Sequence, residues 1–382
     1  VTGVLAVDSA PGQASVLRSN NHQGTQALKL AADYGDVVSD GELAYIYLPH
    51  SGLTQLAWAV EVKRVNDEEG YAHERLFFSA DSNELLTRHP LAHTALHRET
   101  YSIENRWEPP LVLLCTDDED CVDEVAQEAH DGAEKVYEYF STVHDRDSLD
   151  DNGVTLTSIV HLGVKLNNAF WTGQEMLYGD GDGVIFDAFT SDFDVIAHEF
   201  THGVTQNTAN LVYANASGAL NEAMSDILAS AADAYRRDAD IPNWKLGEEL
   251  LLPGAPIEAF RFMDNPTQDN RSSDYWPERF PFSDTPGPDN DNGGVHLNSG
   301  IANLAFVLMV QGGTHPREKT EVVVPALGLS RSEKIVYHSL LNYLQPNSNF
   351  ADARAYNELS ATELYDESER QAVCEAWLAV GV

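Results

Sequence analysis

The sequence predicts an α+β protein, with a small β-rich domain ahead of a larger unit made of an α/β lobe and an all-helical lobe. Apolar side chains alternate with period two over residues 41–90, a helical period follows, and helical patterns prevail in the last part of the chain. A length of 382 residues suits two or three domains. We therefore divide the chain into residues 1–97, 98–204 and 205–382.

Two hairpins are expected in the β-rich part. Residues 41–65 alternate apolar and polar side chains along two strands. A further strand over residues 74–79 turns at residues 81–83 and returns. The sheet is expected to end near Pro90.

Helical periodicity begins after Asp123, whose side chain suits an N-cap, and places Ala129 and Ala133 on one face. Residues 155–164 have a strand-like composition, and another helix is expected to begin at Ser191 or Asp192. Later helices are predicted over residues 217–237, 298–311, 331–344 and 350–379.

The chain is strongly acidic, with 61 acidic and 23 basic residues and a net charge of −38. Residues 1–100 contribute −6 and residues 101–382 contribute −32. Such a surface repels nucleic acid and anionic membranes, so neither is expected as a partner. The longest apolar runs are too short to cross a bilayer, and no membrane helix is expected.

Three cysteines are present, at positions 115, 121 and 374. Cys115 and Cys121 are close enough in sequence for a small disulfide loop, which fits an oxidising compartment. Cys374 lies in a helical, apolar stretch and is expected to be a buried thiol. The first residues have no basic segment and no long apolar run, so we expect no signal peptide in this chain.

The segment Asp194 to Gly203 contains the decisive motif, His-Glu-Phe-Thr-His. Two histidines four residues apart on a helix share one face, so His198 and His202 can both bind one tetrahedral zinc ion. Glu199 lies off that face, where it can reach a metal-bound water as a general base.

A catalytic zinc site needs a third protein ligand, and Glu222 in a downstream helix is the candidate. Asp226 follows one turn later and could orient a ligating histidine. An isolated match to the motif can arise by chance, with both histidines simply lying on a helix face. The Asn221-Glu222 pair and Asp226 at this spacing make that explanation weak.

These residues closely resemble the thermolysin family of zinc metallopeptidases (gluzincins), over roughly residues 123–382. The match includes Asn167 to Trp171, the Gly/Asp loop at residues 178–183, and Asp291 to Gly300. The resemblance implies an endopeptidase with its zinc cleft between the two lobes.

The resemblance also implies roles for individual residues. His296 and Tyr213 would stabilise the oxyanion, and Asp291 would orient His296. Asn221 would hold His202, and Asp226 would hold His198. The residues expected to bind the peptide as an added strand are Asn168 and Ala169.

A hydrophobic pocket is implied beside the zinc, with Arg261 touching the substrate next to it. Its expected lining is apolar, consisting of Phe186, Phe189, Val195, Leu250 and Phe260. Cleavage should therefore occur on the amino side of a hydrophobic residue, and whether leucine or phenylalanine is preferred stays open.

Family members bind structural calcium near the start of the zinc helix. Asp194, Asp233 and Glu248 stand at matching positions and offer oxygen ligands. Asn243 and Lys245 replace acids of the two-calcium members, so we expect one calcium ion or none. Solvated surface acids are the alternative explanation.

Residues 41–90 resemble the family's inhibitory prosegment, so the chain is expected to be a secreted zymogen with its own prosegment as inhibitor. A polar, histidine-rich linker from Arg88 to Thr100, with no helix to hold it, would then be cut between about His89 and Thr100. The substrates would be proteins or peptides, and we expect a monomer. The rival interpretation is a catalytically silent zinc protein, which would normally have lost Glu199 or His296.

Overall fold

The computed structural model describes residues 5–6, 25–48, 53–66, 70–90 and 96–382. Contacts divide the chain into two compact units, residues 1–95 and 96–382. Each unit is described by itself below.

The first unit is built on an antiparallel sheet. Its strands are β1 (Leu5–Ala6), β2 (Asp36–Val37), β3 (Glu42–Leu48), β4 (Leu53–Asn66), β5 (Gly70–Ser79) and β6 (Leu85–Pro90). The path through the sheet is β1-β3-β4-β5-β6, and β2 pairs with β4. The helical segment α1 covers residues 25–31, and its Ala27 and Ala31 pack into a core with Val60, Val62 and Leu76.

Both predicted hairpins are present in this sheet. Leu43 pairs with Trp58 across β3 and β4, as the alternation of apolar side chains suggested. The predicted turn at residues 49–52 lies outside the described residues.

The second unit begins with a five-stranded mixed sheet. Its strands are β7 (Arg98–Ser102), β8 (Val112–Thr116), β9 (Leu156–Val160), β10 (Ala169–Trp171) and β11 (Met176–Tyr178), in the order β10-β11-β9-β7-β8. The neighbours β7 and β9 run parallel, with Arg98 opposite Leu156. β10 is therefore an edge strand, next to which an extended chain can add. A short hairpin, β12 (Lys245–Leu246) with β13 (Arg261–Phe262), lies later in the chain.

Helix α2 (Glu124–His144) is capped by Asp123, as predicted. The carboxylate of Asp123 accepts from the backbone N–H of Ala126 at 3.0 Å. The remaining helices are α3 (Phe193–Gln206), α4 (Asn215–Arg236), α5 (Asp291–Gln311), α6 (Leu329–Asn342), α7 (Phe350–Leu364) and α8 (Glu367–Ala379). Residues 217–234 of α4 are all buried, so α4 is the central helix of the unit. The long apolar helix α5 is also largely buried in the core.

Four sequence predictions need correction. The single helical stretch predicted for residues 350–379 is two helices, because Asp366 caps a new one by accepting from the backbone N–H of Ser368. The strand predicted over residues 155–164 is shorter, at Leu156–Val160. Cys374 is half-buried, and the Arg354 guanidinium lies 3.1 Å from its sulfur.

The fourth correction concerns the linker from Arg88 to Thr100. β6 continues to Pro90 and β7 begins at Arg98, so both of its ends are strands.

The predicted disulfide between Cys115 and Cys121 is present.

A buried carboxylate joins α2 to α6. Glu333 is 6% exposed, and its Oε2 accepts from the Tyr139 hydroxyl at 2.8 Å. Burial raises the pKa of Glu333 to about 7. The carboxyl group therefore keeps its proton in the folded chain at pH values where the unfolded chain has lost it.

This pKa shift predicts the pH dependence of one variant. Stability should fall as pH rises from about 4.5 to 7, because the folded state holds more protons than the unfolded state in that window. Glu333→Gln removes this cost, so at pH 8 it should raise the free energy of unfolding by an amount on the order of 1–3 kcal/mol, and the melting temperature with it. At pH 4 the variant should change little.

The matched control is Glu363→Gln, since Glu363 accepts from the Tyr343 hydroxyl in a similar but exposed pair. Thermal unfolding at several pH values tests the difference. A Glu333→Gln effect that is the same at pH 4 and pH 8 would contradict the assignment.

Candidate metal centre

Helices α3 and α4 bring the three predicted zinc ligands together. His198 and His202 lie one turn apart on α3, with their ring centres 4.7 Å apart. Glu222 lies on α4 and is fully buried. α3 begins as the sequence suggested, because the Asp192 side chain caps it by accepting from the backbone N–H of Asp194.

The ligand atoms of these residues face one point. The Nε2 atoms of the two histidines are 3.0 Å apart. Oε2 of Glu222 lies 3.5 Å from His198 Nε2, and its Oε1 lies 3.4 Å from His202 Nε2. A tetrahedral zinc site with bonds of about 2.0–2.1 Å has ligand separations of about 3.3 Å. The two ring nitrogens and the carboxylate oxygens nearest to them therefore lie at about the spacing that such a site requires.

An acceptor oxygen lies close to Nδ1 on the far side of each ring, which favours one tautomer. His198 Nδ1 lies 2.9 Å from Asp226 Oδ1, and His202 Nδ1 lies 2.8 Å from Asn221 Oδ1. Both partner atoms are acceptors, so both Nδ1 atoms carry the proton and both Nε2 atoms present lone pairs. Glu222 Oε2 is buried and has no hydrogen-bond partner among the described residues. Two lone pairs and an unpaired buried carboxylate oxygen fit a divalent cation.

Glu199 lies on α3 between the two histidines and is 6% exposed. Its Oε2 has no hydrogen-bond partner among the described residues. Burial and nearby Glu222 raise the pKa of Glu199 to about 7, against the opposing effect of His198. A carboxyl group with that pKa can exchange a proton near neutral pH.

Tyr213, His296 and Asp291 form a second group next to Glu222. The Tyr213 hydroxyl donates to Glu222 Oε1 and lies 3.2 Å from His296 Nε2. Asp291 Oδ1 accepts from His296 Nδ1 at 2.5 Å, and its Oδ2 accepts from the His296 backbone N–H at 3.0 Å. The ring of His296 is therefore fixed with Nε2 facing the three zinc ligands.

The Asp-Asn-Gly-Gly sequence explains how His296 reaches this position. Residues 291–294 all have positive φ, between 49° and 85°, which is the left-handed region that favours glycine and asparagine. A Cβ atom on Gly293 would lie 1.9 Å from the Asn215 side chain. This tight turn requires glycine, and it delivers His296 to the mouth of the cleft.

A cavity of about 630 Å³ lies over these groups. Of the predicted pocket residues, Phe189, Val195 and Phe260 line it, and Arg261 does so as well. Phe186 and Leu250 do not line the cavity. The ring of Phe186 is stacked on that of Phe260, which does line the cavity, at 5.2 Å between centres.

Asn168 and Ala169 also line the cavity, at the β10 edge. Asn168 is exposed, whereas Ala169 is buried. The backbone of β10 pairs with β11 on one side only, which leaves its other side open towards the cleft.

The sequence analysis missed two contacts that position these groups. Gln206 on α3 accepts from the Trp171 indole N–H at 2.8 Å and donates to the Gly173 carbonyl at 3.0 Å, which ties β10 to the zinc helix. Asn303 on α5 donates to Asp226 Oδ2 at 2.8 Å. All three partners are 33 or more residues away in sequence, so no local pattern indicated them.

The predicted calcium residues form part of an acidic group at the start of α3. Asp194 and Asp233 are buried, and Asp194 Oδ1 and Glu248 Oε2 have no hydrogen-bond partner among the described residues. Asp233 is paired with Arg236 and Arg237 at 2.7 and 2.6 Å. Two of the three predicted ligands therefore offer an unpaired oxygen, and the third is already compensated.

The Gly/Asp loop at residues 179–183 does not have the form of a cation loop. Asp182 Oδ1 accepts from three backbone N–H groups, those of Val184, Ile185 and Phe186. These bonds hold the turn itself, for which aspartate and glycine are common residues.

Two imidazoles and a carboxylate at the floor of a cleft, with a buried carboxylate beside them, define the class of zinc-dependent peptidases. Comparison with known proteins agrees. A family described as "Thermolysin metallopeptidase, catalytic domain" matches residues 81–206, and "Thermolysin metallopeptidase, alpha-helical domain" matches residues 209–382.

Individual relatives support the same conclusion. The chain is 38% identical to a bacillolysin of Brevibacillus brevis over 91% of this chain and 68% of that protein. It is 42% identical to a thermolysin of Alicyclobacillus acidocaldarius subsp. acidocaldarius over 68% of this chain, but spans about half (46%) of that protein's length.

Among solved structures, the precursor of protealysin, a metalloproteinase from Serratia proteamaculans, matches with a TM-score of 0.66 and 32% identity. The match covers 76% of this chain and 89% of that one. The chain belongs to the thermolysin family of zinc metalloendopeptidases.

The acidic group predicts a response to calcium. Added Ca²⁺ should raise the melting temperature, because a cation compensates the unpaired oxygens of Asp194 and Glu248. A free concentration near 100 Kd corresponds to about 2.7 kcal/mol. Glu248→Gln should weaken this response, and Glu321→Gln, which removes an exposed acid elsewhere, should leave it unchanged. An equal Ca²⁺ response in wild type and Glu248→Gln would exclude Glu248 as a ligand.

Proposed function

We propose that this chain is a secreted zinc endopeptidase, made as a zymogen, that cleaves peptide bonds on the amino side of hydrophobic residues. One observation carries the proposal. The ligand atoms of His198, His202 and Glu222 converge at the spacing of a zinc site, and the buried carboxyl of Glu199 lies in the same cavity.

Glu199 would act as general base. Its buried carboxylate lies in the same cavity as the zinc ligands, where it can take a proton from the attacking water and pass it to the leaving amine. Zinc held by His198, His202 and Glu222 would polarise the substrate carbonyl and make the water more acidic.

His296 and Tyr213 would stabilise the oxyanion that develops on the substrate. Burial opposes protonation of His296, but Glu222 and Asp291 raise the pKa of its imidazole above the ordinary value. The protonated ring has an N–H at Nε2, close to the Tyr213 hydroxyl, at 3.2 Å. Asp291 acts through His296 by holding its other nitrogen.

The peptide would bind as an added strand along β10. The open side of this edge strand provides main-chain hydrogen bonds, and Asn168 and Ala169 lie on it facing the cavity. The side chain after the cut would enter the apolar pocket beside Phe189, Val195 and Phe260. Arg261 is held against Asp226 at 2.6 Å and lines the same cavity.

The first unit would be the inhibitory prosegment. It is a separate sheet with its own core, and the similar structure from Serratia proteamaculans is that of a precursor. The Cys115–Cys121 disulfide and the extracellular role implied by the family resemblance support secretion.

Two glutamate variants separate catalysis from metal binding. Glu199→Gln should keep the fold and one equivalent of zinc, but lose about 10²–10⁴-fold in activity because the base is absent. Glu222→Ala should lose the zinc as well, since one of three ligands is gone. Peptidase assays and metal analysis of the dialysed proteins test both expectations. Full activity in zinc-loaded Glu199→Gln, or a full equivalent of zinc in Glu222→Ala, would disprove the respective role.

Processing of the prosegment is the second expectation. β6 and β7 hold the chain up to Pro90 and from Arg98, so self-cleavage should fall between these residues, with Leu91 or Leu96 after the cut. Mass measurements over time should show wild type shortened there and the Glu199→Gln chain intact in a protease-free preparation. Equal trimming of both chains would mean that another protease makes the cut. Full activity of uncut wild type would exclude the inhibitory role.

A further inference from the structure

A second group of metal-ligating side chains lies in the unit of residues 96–382, built from elements that the proposed catalysis does not use. Cys115 is the penultimate residue of the edge strand β8, Cys121 lies in the loop before α2, and His130 lies in α2. The sulfur atoms and a ring nitrogen of His130 all lie within 4.8 Å of one another. The two cysteines form a disulfide, so the sulfurs are bonded to each other in this structure.

One ring nitrogen of His130 makes no hydrogen bond with the described residues. The residue is 5% exposed, and its Nδ1 lies 3.0 Å from the Thr100 hydroxyl. Its Nε2 is buried and has no hydrogen-bond partner among the described residues. A buried ring nitrogen left unpaired costs free energy, and a ligand that binds it removes that cost.

The surroundings favour a cation. Four acidic residues stand between the cysteines, at positions 117 to 120. Asp117 Oδ1 lies 3.9 Å from His130 Nε2, although Arg98 also binds this carboxylate at 2.7 Å. Cys115 is buried and Cys121 is half-buried, so an ion can approach from the side of Cys121.

We propose that reduction of the Cys115–Cys121 disulfide by a dithiol converts this group into a binding site for a soft transition-metal ion such as Zn²⁺. The dithiol transfers two electrons and two protons to the disulfide and is itself oxidised to a disulfide. The two cysteine thiols then bind the ion as thiolates and release two protons. His130 Nε2 is the third ligand.

The ligand set determines the class of metal. Two thiolates and an imidazole select zinc, cobalt or copper(I) over calcium and magnesium, which prefer oxygen. The fourth position is open to water or an exogenous ligand. The bound ion would take over the structural role of the disulfide, tying the end of β8 to the loop that leads into α2. The chain would thus keep this cross-link in oxidising and in reducing surroundings.

Cobalt(II) is a suitable probe, because sulfur-to-cobalt charge transfer gives an absorption band that the sulfur-free centre of His198, His202 and Glu222 cannot produce. The full chain carrying Cys374→Ser has only the two relevant thiols. After reduction, it should bind one Co²⁺ equivalent with this band and regain the melting temperature lost on reduction. The oxidised chain should show neither effect.

Two histidine variants complete the test. His130→Gln should weaken cobalt affinity at least about tenfold, as expected when a metal loses a nitrogen partner. His338→Gln is the matched control, because His338 also has a hydroxyl partner, Ser360, at 3.1 Å, but lies away from the cysteines. The proposal is overturned if the reduced chain gives no charge-transfer band, if His130→Gln binds as tightly as the control, or if the disulfide cannot be reduced while the chain stays folded. None of these outcomes depends on peptidase activity, so the proposed function is tested separately.

Discussion

Asp226 is a fully buried carboxylate on the central helix, and the geometry of the cleft depends on how its charge is compensated. Arg261 donates to both of its oxygens, at 2.6 and 2.8 Å, and Asn303 donates to Oδ2 at 2.8 Å. His198 Nδ1 lies 2.9 Å from Oδ1. Because an uncompensated buried charge is very costly, these contacts fix α3, α5 and β13 relative to α4. The zinc-facing side of His198 is thereby fixed as well.

Close packing around α4 makes this network possible. The helix begins with Asn-Ala-Ser-Gly-Ala, and these small side chains allow its neighbours to approach. A Cβ atom on Gly218 would lie 2.4 Å from Val295 and 2.9 Å from the backbone of Tyr213. A larger residue there would push away the two segments that carry Tyr213 and His296. The absence of a side chain at position 218 is therefore needed for the oxyanion side of the cleft.

The sequence was sufficient for features that depend on local spacing. Caps and periodicity predicted the starts of α2 and α3, and a spacing of four residues predicted that His198 and His202 share a face. It was not sufficient where the partner is distant. Asn303 lies 77 residues from Asp226, and no pattern around either residue indicates the contact.

Two further features depend on partners that are distant in sequence. The ends of the polar linker are strands because β7 pairs with β9, more than 50 residues further on, and β6 pairs with β5, and such pairing overrides a weak local preference. The Phe186 ring stacks on the Phe260 ring, and Phe186 is not among the residues that line the cavity. Stacking between side chains 74 residues apart depends on the fold and is not visible in sequence.

The charges in the cleft link metal binding to the stability of the catalytic unit. Glu199, Glu222 and Asp226 are buried there, and Arg261 pairs with only one of them. Without a metal, His198 and His296 can compensate Glu222 only by taking protons, and protonation of His198 removes the lone pair that a zinc ion needs. A divalent cation supplies the missing charge while leaving the His198 imidazole neutral. Zinc binding and protonation of His198 are therefore alternative ways to compensate the charge of Glu222. Zinc affinity should decrease as the pH falls, even though the protein ligands stay in place.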